Sequence, residues 1–212
     1  MSEIKVNKLS PRSGTTVTLG DSGDTISVPS GVSLSSGANL TLTGALSVDG
    51  ASATIKLDGN YPTGTENTAL GDTALDSVQA GGNYNVVIGS RAGTNITTGV
   101  NNVGVGAYAL CDIQTNSQNV AIGTEALKKN TASDNTAVGY ISLRCNTTGG
   151  DNTAVGVCSL NANTTGANNT AVGFCSLKAN TTGGSNVAVG KNTLDANTTG
   201  GCITALGQGA LG

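Results

Sequence analysis

Five cysteines, one serine in a Gly-Asp setting and a scatter of carboxylates are the side chains of this 212-residue chain that could do covalent or acid–base chemistry. There is no histidine, so a Ser or Cys nucleophile lacks its usual base and a zinc site lacks its commonest nitrogen ligand. The stretch "GDSGD" at residues 20–24 resembles the surroundings of a serine nucleophile by letters alone, and with nothing to activate Ser22 it reads as a turn. Glycoside cleavage needs two converging carboxylates. Asp49, Asp58, Glu66, Asp72, Asp76, Asp112, Glu125, Asp134, Asp151 and Asp195 are instead dispersed along the chain. Calcium-binding rolls carry an Asp in every coil, which this sequence does not. The expectation is a protein that is not an enzyme and has no catalytic, cofactor or metal site.

Cys111, Cys145, Cys158, Cys175 and Cys202 make an odd set without C-x-x-C spacing. Cys158 and Cys175 hold the same place in two nearly identical stretches, "NTAVGVCSLNANTTGANN" and "NTAVGFCSLKANTTGGSN", which puts one above the other. Each reads as a small, partly buried thiol in the place of an Ala or Ser, by size, in preference to a disulfide or metal ligand.

Those two stretches belong to a period that must be explained before anything else. Marker glycines fall at Gly71, Gly89, Gly106, Gly123, Gly139, Gly156, Gly173, Gly190 and Gly207, at intervals of 17 residues apart from one of 18 and one of 16. The unit is N-[TV]-A-[VIL]-G-x-x-[AS]-L-x-x-N-T-T-G-x-x. Before each glycine, Thr or Val alternates with Val, Ile or Leu around a small residue, which is the signature of a short strand. A second short strand is expected to carry Ala or Ser and then a Leu, four residues past the marker: Leu75, Leu110, Leu127, Leu143, Leu160, Leu177, Leu194 and Leu211, with Gly93 as the exception. "NTTGG" supplies a turn. Two strands and two turns per unit predict an all-β, parallel β-solenoid of about nine coils.

The core expected from this pattern is thin: one Val, Ile or Leu before the marker and one Leu after it, helped by a Val such as Val103 or Val187. The slot two before the marker reads Ala69, Val87, Gly104, Ala121, Ala137, Ala154, Ala171, Ala188 and Ala205. Smallness there means either a tight spot inside the coil or close approach of another surface; the thin core favours the second, burial against copies of the same chain around an axis. The Asn four before the marker recurs at Asn67, Asn85, Asn102, Asn119, Asn135, Asn152, Asn169 and Asn186, until Ile203 breaks the series. A vertical ladder of amides accounts for it, and the Thr pairs 147/148, 164/165, 181/182 and 198/199 read the same way.

Composition narrows the classes. Gly numbers 32, aromatic residues are 2% and charged residues 11%. Disorder is the rival, but disordered chains carry more charge and lack regularly spaced aliphatics. A net charge of −3 without a Lys/Arg cluster argues against nucleic acid as a partner. No stretch approaches the length of a membrane-spanning helix, and the first residues have no apolar signal region.

The units, typified by "NTAVGVCSLNANTTG", resemble the head repeats of YadA-type trimeric autotransporter adhesins and the "NTALG…NTTG" arrays of phage tail fibres; the resemblance covers roughly residues 67–211. It implies a YadA-like β-roll and three chains in one homotrimeric stalk. This unit is longer than the usual adhesin repeat, so "NTTGG" is expected to be an enlarged outer loop. The opening "KVNKLSPRSGTTVTLGDSGDTISVPSGVSLSSGANLTLTGALSVDG" is similar to N-terminal segments of tail-fibre and other virion structural proteins of marine bacteriophages. It reads as short strands, "TTVTL", "TISV" and "NLTLTG", between turns. Three regions follow: residues 1–50 as an N-terminal β attachment segment, 51–66 as a junction and 67–212 as the β-roll repeat domain. The resemblance implies a virion tail appendage assembled in the host cytoplasm, with tail or baseplate proteins bound through the N-terminus and a host surface glycan or protein as target. A bacterial surface adhesin of the YadA type and an ice-binding solenoid are the alternatives.

Overall fold

A computed structural model describes residues 66–212. The expectations for residues 1–50 and for all of the junction but Glu66 lie outside those residues, as does Ser22. The described chain contains no helix and nine three-residue strands: β1 (Thr68–Leu70), β2 (Val86–Ile88), β3 (Val103–Val105), β4 (Val120–Ile122), β5 (Thr136–Val138), β6 (Thr153–Val155), β7 (Thr170–Val172), β8 (Val187–Val189) and β9 (Thr204–Leu206). They form one parallel sheet in strict sequence order, each strand paired with the next. The register follows the motif: Ala137 faces Ala154, which faces Ala171, and Thr136, Thr153 and Thr170 line up beside them. The period is therefore architecture, one turn of a parallel β-solenoid per repeat. At about 4.8 Å per strand spacing, the eight intervals rise roughly 38 Å.

The expected second strand is not there. In its place run turns whose backbone is left-handed at the second and fourth residues past the marker, as at Cys158 (φ 60°) and Leu160 (φ 48°). That conformation cannot continue an extended strand, yet it keeps the coil-to-coil bonding: Leu143 N–H donates to Ser159 O at 3.0 Å and Leu160 N–H to Ser176 O at 3.0 Å. A third left-handed residue lies five before each marker, Asp151 and Asn168 among them. A left-handed L-residue costs about 1 kcal/mol. For the Leu, full burial of its side chain contributes roughly 2 kcal/mol and offsets that cost at the same position.

The marker glycine is demanded twice over. Gly106 has φ 129°, and a Cβ built on it would lie 2.6 Å from the carbonyl carbon of Gly123 in the next coil. The same conflict repeats up the column, so a vertical seam of glycine backbones lets successive coils close on one another.

The core differs from the expected one. The small residue two before the marker points inward: Ala121, Ala137, Ala154, Ala171 and Ala188 are completely buried within their own chain. Tightness inside the coil explains the column, and burial against other copies does not. The aliphatics that flank it, including Val103 and Val187, point outward instead, because neighbours along a strand alternate between faces. The interior is Ala from the strand, Ala or Ser and then Leu from the far turn, such as Ala126 with Leu127 and Ser159 with Leu160, and two rows of asparagine.

The first row is the expected ladder. Asn152 Nδ2 donates to Asn135 Oδ1 (3.2 Å) and to Gly166 O (2.9 Å), while the Asn152 backbone N–H donates to the same Asn135 oxygen (3.0 Å). Each amide so ties its own strand to the coil before it and to an outer turn, and at the top Asn186 Oδ1 accepts the N–H of Ile203. The second row, unforeseen, is the Asn of "NTTG". Asn146 donates to Asn130, Asn163 to Asn146, Asn180 to Asn163 and Asn197 to Asn180. Lower in the stack the same slot holds buried Val78, Ile96 and Ile113, so the column changes from aliphatic to amide at Asn130. The missing Leu at Gly93 is filled from two sides. A Cβ there would meet the Ile96 and Val87 methyl groups at 2.9 and 3.2 Å.

The Thr pairs divide their work. In the first three pairs the leading hydroxyl bonds upward, from Thr147 to Thr164 O (2.9 Å), Thr164 to Thr181 O (3.0 Å) and Thr181 to Thr198 O (2.9 Å). The second, Thr148, Thr165, Thr182 and Thr199, is exposed.

Candidate interaction face

Turning the Ala column inward turns two columns outward. On one side of it stand Thr68, Val86, Val103, Val120, Thr136, Thr153, Thr170, Val187 and Thr204; on the other, Leu70, Ile88, Val105, Ile122, Val138, Val155, Val172, Val189 and Leu206. None is charged, and the parallel register spaces them evenly. Val86, Ile88, Val155 and Val189 are each 37% exposed, which for a β-branched side chain on a strand leaves its outer half uncovered. The result is an ordered strip of methyl groups and hydroxyls along the whole sheet. A free-standing sheet face of a water-facing solenoid has no reason to exclude Lys and Glu from all eighteen positions.

In coils five to seven the strip widens around the corner. Tyr140, Val157 and Phe174 follow the marker glycines directly and are 55%, 39% and 49% exposed. Lys191, next in the column, places its Nζ 5.9 Å from the centre of the Phe174 ring.

The charged side chains gather elsewhere. Glu125 accepts from Lys128 Nζ (2.7 Å) and from Arg144 Nε (2.5 Å), and these bonds hold its carboxyl below the usual carboxylate range, the Lys128 contact contributing most. Lys128 also lies 4.8 Å from the centre of the Tyr108 ring, and Arg91 lies 5.8 Å from it. Glu125 is engaged by two cations and the Tyr108 ring by two, with Lys128 shared between them, so the Glu125 carboxylate in this structural corner is paired.

Among the described residues, no three Cys, Asp or Glu side chains converge where a metal ion could sit. Cys158 and Cys175 occupy consecutive rungs, as their shared slot predicts; all five thiols are free. Burial pushes the Cys175 thiol up, with the neighbouring Cys158 adding to it, and burial likewise raises Cys111. Among the described residues, no helix is long and apolar enough to cross a membrane.

Comparison with protein-family models, with curated proteins and with solved structures found no match to this chain.

Proposed function

We propose that this chain is a structural attachment protein: a homotrimeric phage tail fibre that docks on the virion through residues 1–50 and projects its solenoid as a YadA-like rod towards the host cell. One observation carries the reading. The outward strip of the sheet is uncharged at every rung and half uncovered in the single chain, and its even spacing suits contact with the same strip on identical chains. Three chains around an axis would cover the strips together and supply the apolar burial that an Ala-and-Asn interior lacks. The rod then offers length and stiffness, and its second Thr column and outer turns are left for contact with a host glycan or protein. No chemistry is asked of it.

Sedimentation equilibrium of the full chain tests the association: the expected mass is three times the 20.7 kDa of one chain. The double variant Val155→Lys/Val172→Lys is expected to sediment as a monomer with its strand signal in circular dichroism retained. A wild-type chain that remains monomeric at tens of micromolar would rule the trimer out. Labelling of phage particles with an antibody raised against residues 67–212 tests the virion assignment.

A second reading rests on the same strip. Thr136, Thr153 and Thr170 stand in register in one column beside Val138, Val155 and Val172 in another, an arrangement that could order water as an ice-binding surface does. Thermal hysteresis in a monomeric wild-type sample would favour it over the fibre.

A further inference from the structure

We propose that Cys158 and Cys175 form a dithiol site that reacts with small disulfides and closes into a reversible covalent bond between two consecutive coils. The five cysteines are distributed over four columns of the solenoid, and only these two share one. They have the same backbone, φ 60° and 54°, so their Cα–Cβ bonds run parallel up the stack. The bonding ladder is unbroken through both: Cys158 N–H donates to Tyr140 O (3.0 Å) and Cys175 N–H to Val157 O (2.9 Å). At a rung spacing of about 4.8 Å, their Cα atoms fall inside the roughly 4.4–6.8 Å window of disulfides. Their Cβ atoms, parallel and at the same spacing, must approach by a few tenths of an ångström to reach the upper end of the usual range. The Cys158 thiol is also close enough to Cys175 to help raise the Cys175 thiol above its ordinary range, so the two side chains are neighbours.

The small approach that closure demands makes the bond a labile one rather than a permanent staple, because a strained disulfide is more readily reduced. Access differs between the partners. Cys175 is buried and Cys158 only half-buried. Cys158 as thiolate therefore attacks one sulfur of the incoming disulfide, here oxidised glutathione, and releases one molecule of the reduced thiol. Cys175, having lost its proton to solvent, then attacks the Cys158 sulfur of the mixed disulfide and expels the second. The two protein thiols are oxidised by two electrons, the small disulfide is reduced to two thiols, and the protons are taken up by the departing thiolates. Closing the 17-residue loop restricts the unfolded chain and fixes two rungs to each other.

The test uses the full chain with Cys111, Cys145 and Cys202 replaced by Ser, so that the pair is isolated. After incubation with oxidised glutathione under native conditions, the intact mass is expected to fall by two hydrogen atoms. Neither thiol should then be alkylatable, and no glutathione should be retained. The thermal midpoint should rise by several degrees and return on addition of dithiothreitol. In a further Cys175→Ser variant, glutathione is expected to stay on Cys158. That variant should fold, since Glu125 and Asn192 hold the equivalent slot in other coils. Glutathione retained by the isolated pair would overturn the proposal. So would two alkylatable thiols under conditions in which exposed Cys202 of the wild-type chain has reacted.

Discussion

At the scale of single residues, the two asparagine rows are where the sequence is least forgiving. Asn163 stands in the middle of the second row, donating to Asn146 Oδ1 (2.7 Å) and accepting from Asn180 Nδ2 (2.9 Å). Replacing it with Ile, the residue that fills the slot at positions 96 and 113, leaves a polar neighbour short of a partner both below and above. Asn130, at the boundary with the aliphatic part of the column, is bonded no less: it donates to Asn119 Oδ1 of the first row (3.2 Å) and to Ala132 O (2.7 Å) and accepts from Asn146 Nδ2 (2.6 Å). Asn163→Ile and Asn130→Ile are therefore each expected to cost about 1–3 kcal/mol in urea unfolding. An unchanged midpoint in either variant would mean that the buried amides do not hold the coils together. The marker glycine makes a harder demand. Gly106→Ala combines φ 129° with a Cβ against the Gly123 carbonyl, and is expected to destabilise the chain by about 3 kcal/mol or more. The Glu125 cluster behaves more mildly. Glu125 has its carboxyl held below the usual range in the fold, so its contribution is present above the unfolded-state value and is lost as pH falls through the lowered folded one. Wild type and Glu125→Gln should therefore differ in melting temperature near neutral pH, by no more than about 1 kcal/mol in stability, and converge once the pH has fallen below the lowered folded-state value.

At the scale of the element, one three-residue strand and a chain of turns make a coil, and this explains what could and could not be read in advance. The strand was legible because alternation around Ala137, Ala154 or Ala171 is a local pattern. Which of its faces was the inside was not. Val-Ala-Val puts the bulkier residues on one face, and ordinary hydrophobic logic assigns that face to the core. The opposite holds because the coil is too narrow to admit two β-branched side chains opposite a Leu; only Ala fits, and the aliphatics are left outside. The second leg was misread for a related reason. Leu143 or Leu160 in a left-handed conformation violates local propensity, and the violation is tolerated only because the next coil accepts its backbone bonds and buries its side chain. No property of a single repeat announces that. The first asparagine row could be inferred from recurrence alone. The second was concealed because Asn-Thr-Thr-Gly is also a plausible turn, and only burial of Asn146, Asn163 and Asn180 distinguishes a ladder from a loop.

At the scale of the whole molecule, a solenoid is a one-dimensional stack in which each coil interacts with its two neighbours, so its length is a free variable while its register is not. The natural sequence already tests this at one point. The coil ending at Gly139 is one residue short, and the loss falls in the outer turn, where Ala132 O does the work of Gly149 O: the first accepts from Asn119, the second from Asn135. Strand and glycine seam pass through, and the first amide row is rerouted without being broken: Asn135 still donates its N–H to Asn119 Oδ1 (3.1 Å), while the side-chain bond to that oxygen comes from Asn130 Nδ2 (3.2 Å). Removing residues 153–169, one whole period, joins Asn152 to Thr170 and reproduces an existing junction, Asn169 with Thr170. That deletion is expected to fold with the same strand spectrum and a slightly lower unfolding enthalpy, since one set of nearest-neighbour contacts is lost. Deleting residues 153–160 instead brings Asn161 against Asn152, places a turn where β6 should stack, and interrupts the glycine seam and both asparagine rows at once. That variant is expected to lose cooperative unfolding. If the half-period deletion proved as stable as the whole-period one, stability would reside in the composition of the coils and not in their vertical alignment.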